Sequence, residues 1–196
     1  MLRKLFKKNR KSGFTLVEAL VAVSIFTLSV LAMLVSLGQG LSNIDYAKKK
    51  LIAEYLAQEG IEYVRNLRDT QVLYSVDPTT GWANFNSNLS NVTCYSANGC
   101  YFLDLPSSAF SNPNMPMAGI GILPCTETNG ACPPLNYDNV TGVYGYSSGT
   151  NSGFIRKIQS QQINANETKI SSTVFWNQGS GAYNITFSET LFRWVE

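Results

Sequence analysis

Residues 11–37 read KSGFTLVEALVAVSIFTLSVLAMLVSL, and from Phe14 to Leu37 the stretch is an almost unbroken apolar run. Glu18 is its only charge, and Thr15, Ser24, Thr27, Ser29 and Ser36 are its only polar side chains. Wound as a helix at ~1.5 Å per residue, the run would extend roughly 36 Å, enough for a hydrocarbon core of ~30 Å. It therefore predicts a helix able to span a membrane. Six cations, Arg3, Lys4, Lys7, Lys8, Arg10 and Lys11, lie on its N-terminal side, and none lies between Phe14 and Ile44. That asymmetry keeps the N-terminus in the cytoplasm and sends the rest of the chain outward.

Three arrangements share this outline. A secretory signal has a shorter apolar core of ~7 to 15 residues followed by a small-residue cleavage site. Here the run is longer, and Gly38-Gln39-Gly40-Leu41 behind it is a poor site. A plain signal anchor fits the length and charge but gives Glu18 no reason to lie inside the run. An ionised carboxylate deep in a bilayer costs on the order of 2.5 to 3.5 kcal/mol, so a functional partner is the default expectation.

The third arrangement accounts for the carboxylate. Lys11-Ser12-Gly13-Phe14-Thr15-Leu16-Val17-Glu18 closely resembles the type IV prepilin cleavage signal. The resemblance implies that a membrane-embedded prepilin peptidase cuts after Gly13 and N-methylates the new first residue, Phe14. It also implies that Glu18 pairs with the amino-terminal charge of a neighbouring subunit during assembly. The chemistry is coherent, because cleavage creates an ammonium at Phe14, and two opposite charges in a low-dielectric bundle each relieve the other's desolvation. A polar residue tolerated near the membrane interface is the competing reading of Glu18, since four residues' depth is only about 6 Å.

Charge and composition narrow the function classes. The 196 residues are 44% hydrophobic, as expected of a globular domain with an appendage. All six cations before residue 13 would leave with the leader, so nine basic residues remain against 13 acidic ones, about −4. A mildly acidic mature chain argues against general nucleic-acid binding, which needs clustered Lys and Arg. The sequence has no His, which removes the commonest general base and metal ligand. No nucleophile with a plausible base is visible, so no enzyme, catalytic residue, metal or cofactor is expected.

Beyond the apolar run, residues 41–68 contain no proline, and Ile52, Leu56, Gly60, Tyr63, Val64 and Leu67 fall at helical spacings. Lys48, Lys49, Lys50, Glu54, Glu59, Glu62, Arg65 and Arg68 read as a solvated face. One helix from about Phe14 to Arg68 is expected. Gly38 and Gly40 would weaken it, either loosening it within a filament or bending it where it leaves the bilayer.

From Gln71 onward Asn, Ser, Thr, Gly, Pro and Tyr dominate, which predicts short strands joined by turns. Ile170, Ser172, Val174 and Trp176 alternate with Ser171, Thr173, Phe175 and Asn177. After Gln178-Gly179-Ser180-Gly181, Tyr183, Ile185 and Phe187 alternate again. These are two strands of an antiparallel hairpin, with Phe154 to Ser160 as a third. Phe154-Ile155-Arg156-Lys157-Ile158, Thr173-Val174-Phe175-Trp176, Tyr183-Asn184-Ile185 and Leu191-Phe192-Arg193-Trp194 look like the C-terminal sheet of PilV-type minor pilins and pseudopilins. The helix segments Tyr55 to Glu62 and Arg65 to Asp69 are similar to that group too.

Four cysteines, Cys94, Cys100, Cys125 and Cys132, lie on the side expected outside the cytoplasm, where disulfides form. Of three connectivities, Cys94 with Cys100 and Cys125 with Cys132 is preferred, because Tyr95 to Gly99 forms a tight turn and Asn129-Gly130 turns the second loop. The spacings do not match the short Cys pairs of zinc sites. Pro106 to Pro134 holds six of the seven prolines and reads as an ordered surface loop, suited equally to contact with a partner and to plain connection.

The expected fold is α+β and pilin-like, a long N-terminal helix packed on a C-terminal antiparallel sheet with a loop-rich, disulfide-bearing insertion. The expected division is a basic leader at 1–13, a membrane or filament-core helix at 14–37, its amphipathic half at 38–70 and an extracytoplasmic β-rich domain at 71–196. The expected function is a minor pilin or pseudopilin of a type IV pilus or a type II secretion-like pseudopilus. Its partners would be prepilin peptidase, other pilin subunits and, before assembly, the bacterial inner membrane. The alternative is a membrane-anchored extracellular binding or adhesion protein that uses residues 71–152.

Overall fold

The computed structural model describes residues 13–103, 121–127 and 131–193. Helix α1 runs Leu16–Tyr74, and the chain divides into two compact units, Met1–Asp45 and Tyr46–Glu196.

In the first unit, every described side chain is exposed. The hydroxyls of Ser24, Thr27 and Ser29 donate to the carbonyls of Val21, Ser24 and Ile25 at 2.8, 2.9 and 2.8 Å. Folding them back onto the helix satisfies each donor without water, as an apolar surrounding requires. Gly38 and Gly40 lie within α1, which is continuous through both.

The second unit has its own core. From Ala53 onward α1 buries Ala53, Leu56, Ala57, Gly60, Ile61, Val64, Leu67, Gln71 and Val72, a stripe at three- and four-residue steps. A second helix follows where the sequence predicted strands and turns. This is α2, Pro78–Asn91, and it is a correction. Asp77 caps it by accepting the Thr80 N–H at 3.0 Å, and Pro78 begins its first turn without needing a donor. Trp82, Phe85 and Leu89 turn inward one and two turns apart, enough to anchor a helix otherwise rich in Asn, Ser and Thr.

The sheet is antiparallel and built on β5, Thr150–Asn164. Strand β6, Glu167–Gln178, pairs along one side of it, and β7, Gly181–Phe192, pairs with β6. On the other side of β5 lie β1, Cys100–Phe102, opposite Ile158, and β3, Pro134–Tyr137, opposite Thr150 to Ile155. Strands β2, Ile122–Pro124, and β4, Tyr144–Gly145, add to β1 and β3. The reading of Pro106 to Pro134 as loop is corrected in its second half, since Pro124 closes β2 and Pro134 opens β3, places where a strand tolerates proline. Residues 106–120 and 128–130 of that stretch lie outside the described residues.

Alternation along β6 buries Thr168, Ile170, Ser172, Val174 and Trp176. One core joins Ile61, Val64 and Leu67 of α1 and Trp82, Phe85 and Leu89 of α2 to Ile158, Ile170 and Leu191. A second gathers Ala53, Leu56 and Ala57 against Leu135, Phe154, Val174 and Trp176. The chain thus has the α+β class expected, a helix packed on an antiparallel sheet. Disulfides join Cys94 to Cys100 and Cys125 to Cys132.

The charged flank of α1 departs from the solvated face that the sequence suggested. Arg156, 1% exposed, donates to Leu56 O at 3.2 Å and to Glu59 Oε2 at 2.6 Å, and its guanidinium lies 5.5 Å from the centre of the Tyr63 ring. Arg65 reaches Glu189 of β7 at 2.6 Å, and Lys49 Nζ donates to Asn177 O at 3.1 Å. These side chains fix α1 to the sheet.

Candidate functional site: the N-terminal processing segment

Gly13, Phe14 and Thr15 precede the helix, which begins at Leu16. The peptide bond between Gly13 and Phe14 therefore lies in non-helical chain, ahead of the first turn of α1. Gly13 is exposed, and a Cβ placed on it would meet nothing within 4 Å. A side chain at this position thus meets no conflict among the described residues.

Thr15 explains why the helix starts where it does. Its Oγ1 accepts the Glu18 N–H at 3.3 Å, and its carbonyl accepts the Ala19 N–H at 3.1 Å. This is the acceptor half of a capping box, Thr-x-x-Glu, and it satisfies donors that the first turn leaves open. The sequence reading passed over Thr15, although the Thr15-to-Glu18 spacing carries the signal.

Glu18 lies in the first turn of α1 and is exposed. A carboxylate there sits at the positive end of the helix dipole, worth about 0.3–1 kcal/mol. The local structure thus supplies a reason within the chain itself for an acid at this position. Around it, Phe14, Leu16, Val17, Leu20 and Val21 are 50–77% exposed, so the carboxylate emerges from an apolar sleeve. In its N-terminal half α1 is long and apolar enough to cross a membrane.

Gly13, Phe14 and Glu18 thus fall within six successive residues of one unit, and the four cysteines belong to the other. Residues 1–12 of the expected leader lie outside the described residues. All four cysteines are in disulfides, and among the described residues no group of three or more His, Cys, Asp or Glu side chains could hold a metal ion.

Residues 8–34 match the family model described as the prokaryotic N-terminal methylation motif. No curated protein and no solved structure matches the chain.

Proposed function

We propose that this chain, a type IV pilin-like prepilin by its methylation motif at residues 8–34 and its α+β fold, is a minor pilin or pseudopilin that acts by being processed and assembled. The motif match carries the reading. A prepilin of this kind is a substrate of prepilin peptidase and a structural subunit.

In the proposed sequence of events the chain is first held in the inner membrane by residues 14–37, with its leader in the cytoplasm and the β-rich domain outside. The leader's six cations resist transfer through lipid and so anchor the helix against outward movement. Hydrolysis of the bond after Gly13 removes them together. It leaves an ammonium on Phe14, and N-methylation retains that charge. Glu18 of one subunit then meets the Phe14 ammonium of another, so each desolvated charge acquires a partner as the helix leaves lipid for the filament core.

Processing is tested by isolating the chain from its native membrane and measuring intact mass and N-terminal sequence. The expected product begins at a methylated Phe14, and a product beginning elsewhere overturns the assignment. Because a Cβ at Gly13 meets nothing within 4 Å among the described residues, Gly13→Val should leave an uncut precursor with unchanged folding. Normal processing of that variant counts against the cleavage site.

A second reading, a tethered binding protein, is favoured by one observation. An open, polar cleft of about 670 Å³ is lined by Tyr95 and Ser96 of the 71–152 region together with Gln159, Gln161 and Lys169 of β5 and β6, outside it. Glu18→Gln separates the two readings. Processed but unassembled protein with the fold intact supports the subunit role, and unchanged assembly together with lost ligand capture supports the tether.

A further inference from the structure

Among the described strands, β2, β4 and β7 each pair on one side only, and they are three, two and twelve residues long. Two of these edges are too short to template another strand, and the third is not. Pairing between β6 and β7 is continuous from Glu167 opposite Phe192 to Gln178 opposite Gly181, with no bulge. Strand β7 contains no Pro, Lys or Arg, the residues that usually blunt an exposed edge.

The hairpin parity shows which groups are open. Gly179, at φ 56°, starts a two-residue turn, so the closing Gln178–Gly181 pair exchanges both backbone hydrogen bonds. Odd-numbered residues of β7 then bond inward to β6. Arg193 keeps the same parity one step past the strand, its N–H donating to Asn166 O at 2.8 Å. Asn184, Thr186, Ser188 and Thr190 therefore turn their backbone N–H and C=O outward.

Along this open edge α1 forms the opposite wall of a groove of about 500 Å³, lined by Tyr55, Gln58, Glu62 and Arg65 together with Phe187 and Glu189. Arg65 is shared between Glu62 and Glu189, while Glu59, also in the lining, is held by Arg156. One negative charge is left over. The Glu62 and Glu189 side chains are 52% and 35% exposed, so an incoming cation can reach them.

We infer that β7 receives an extended strand from a different protein, which continues the sheet and sets a Lys or Arg side chain against Glu62 and Glu189. Backbone hydrogen bonds to the outward groups of β7 supply the attachment, and the acidic groove selects the side chain. A second copy of this chain is a poor occupant, because its own β7 offers no cation and would bring a second Glu189 to the same groove.

The test uses the full chain in detergent micelles and a short peptide alternating threonine and valine around a central lysine. Hydrogen exchange at the Asn184, Thr186, Ser188 and Thr190 amides should be fast in the free chain and slow at least about tenfold with the peptide. The same peptide carrying glutamate, or with its β7-facing amides methylated, should give no protection. Asn184→Pro removes one outward donor, leaves the bonds to β6 in place and should weaken binding about tenfold. The methylated peptide gives the same answer if that variant does not fold. Unchanged exchange with the lysine peptide overturns the proposal, and equal protection by the glutamate peptide overturns the cationic occupant. Protection that instead rises with protein concentration alone assigns the edge to a second copy, and so overturns it as well.

Discussion

Two residues decide how closely α1 lies on the sheet. A Cβ on Gly60 would overlap Ser172 Oγ and press on Ile158 and Arg156, side chains held in the sheet rather than free ends in solvent. Alanine is the better helix former by about 1 kcal/mol, yet overpacking of this kind costs about 1–3 kcal/mol. Gly60→Ala should therefore lower stability despite its propensity, as a reduced denaturant midpoint at unchanged slope. Arg156, behind Gly60, has a carboxylate partner only in Glu59 among the described residues. Removing one member of a buried pair costs about 3–5 kcal/mol, but Glu59 is 38% exposed and water relieves part of that. Glu59→Ala should cost about 2–3 kcal/mol. The double variant Glu59→Leu with Arg156→Met should cost clearly less than the two single changes together, which a double-mutant cycle reads directly.

At the scale of an element, α2 depends on its cap. The Asp77 carboxylate accepts from the Thr80 hydroxyl and from the Thr80 N–H, and these bonds hold its pKa below the ordinary 3.8. A depressed carboxylate contributes stability that is present above the unfolded pKa and is lost as pH falls through the folded one. Titrating from neutral to strongly acidic pH should thus loosen α2 only below about pH 4, read as faster amide exchange at Thr80 and Gly81. Asp77→Asn should flatten that dependence, because asparagine caps without titrating. The Asp77-Pro78 start and the helical spacing of Trp82, Phe85 and Leu89 were the signs of α2 in the sequence. Trp82, Phe85 and Leu89 are its only large buried apolar residues, and the surrounding Asn, Ser and Thr favour turns as much as helix. Strands β6 and β7 were legible because their alternation continues for many residues and ends at Gly179-Ser180. Helix α1 was legible for its length and apolar run. What stayed hidden in the charged flank of α1 was long-range, since Glu59 meets Arg156 across 97 positions and Arg65 meets Glu189 across 124. No local pattern records such a partner. In the N-terminal segment Gly13, Phe14 and Glu18 stood out as a short contiguous motif, whereas the cap at Thr15 is a hydrogen-bond pattern that the same six residues show only through the Thr15-to-Glu18 spacing.

The whole chain combines two units with opposite solvent requirements. In Met1–Asp45 the described apolar side chains are exposed, and only lipid, detergent or other helices satisfy them. Tyr46–Glu196 closes its own cores, holds both disulfides and begins at a residue that already packs within it, since the Tyr46 ring lies 5.1 Å from that of Tyr183. Folding of the second unit is therefore expected to be independent of the first. A chain comprising residues 46–196, secreted to an oxidising compartment, should be soluble without detergent, show near-ultraviolet circular dichroism from ordered aromatic rings, and contain no free thiol. Closing loops of six and seven positions is worth roughly 2–3 kcal/mol each on the chain-entropy account, so reduction should lower its melting temperature. If residues 46–196 instead aggregate in their oxidised state, the second unit needs the apolar helix to fold, and the separation into a membrane-seeking segment and an independent domain is wrong.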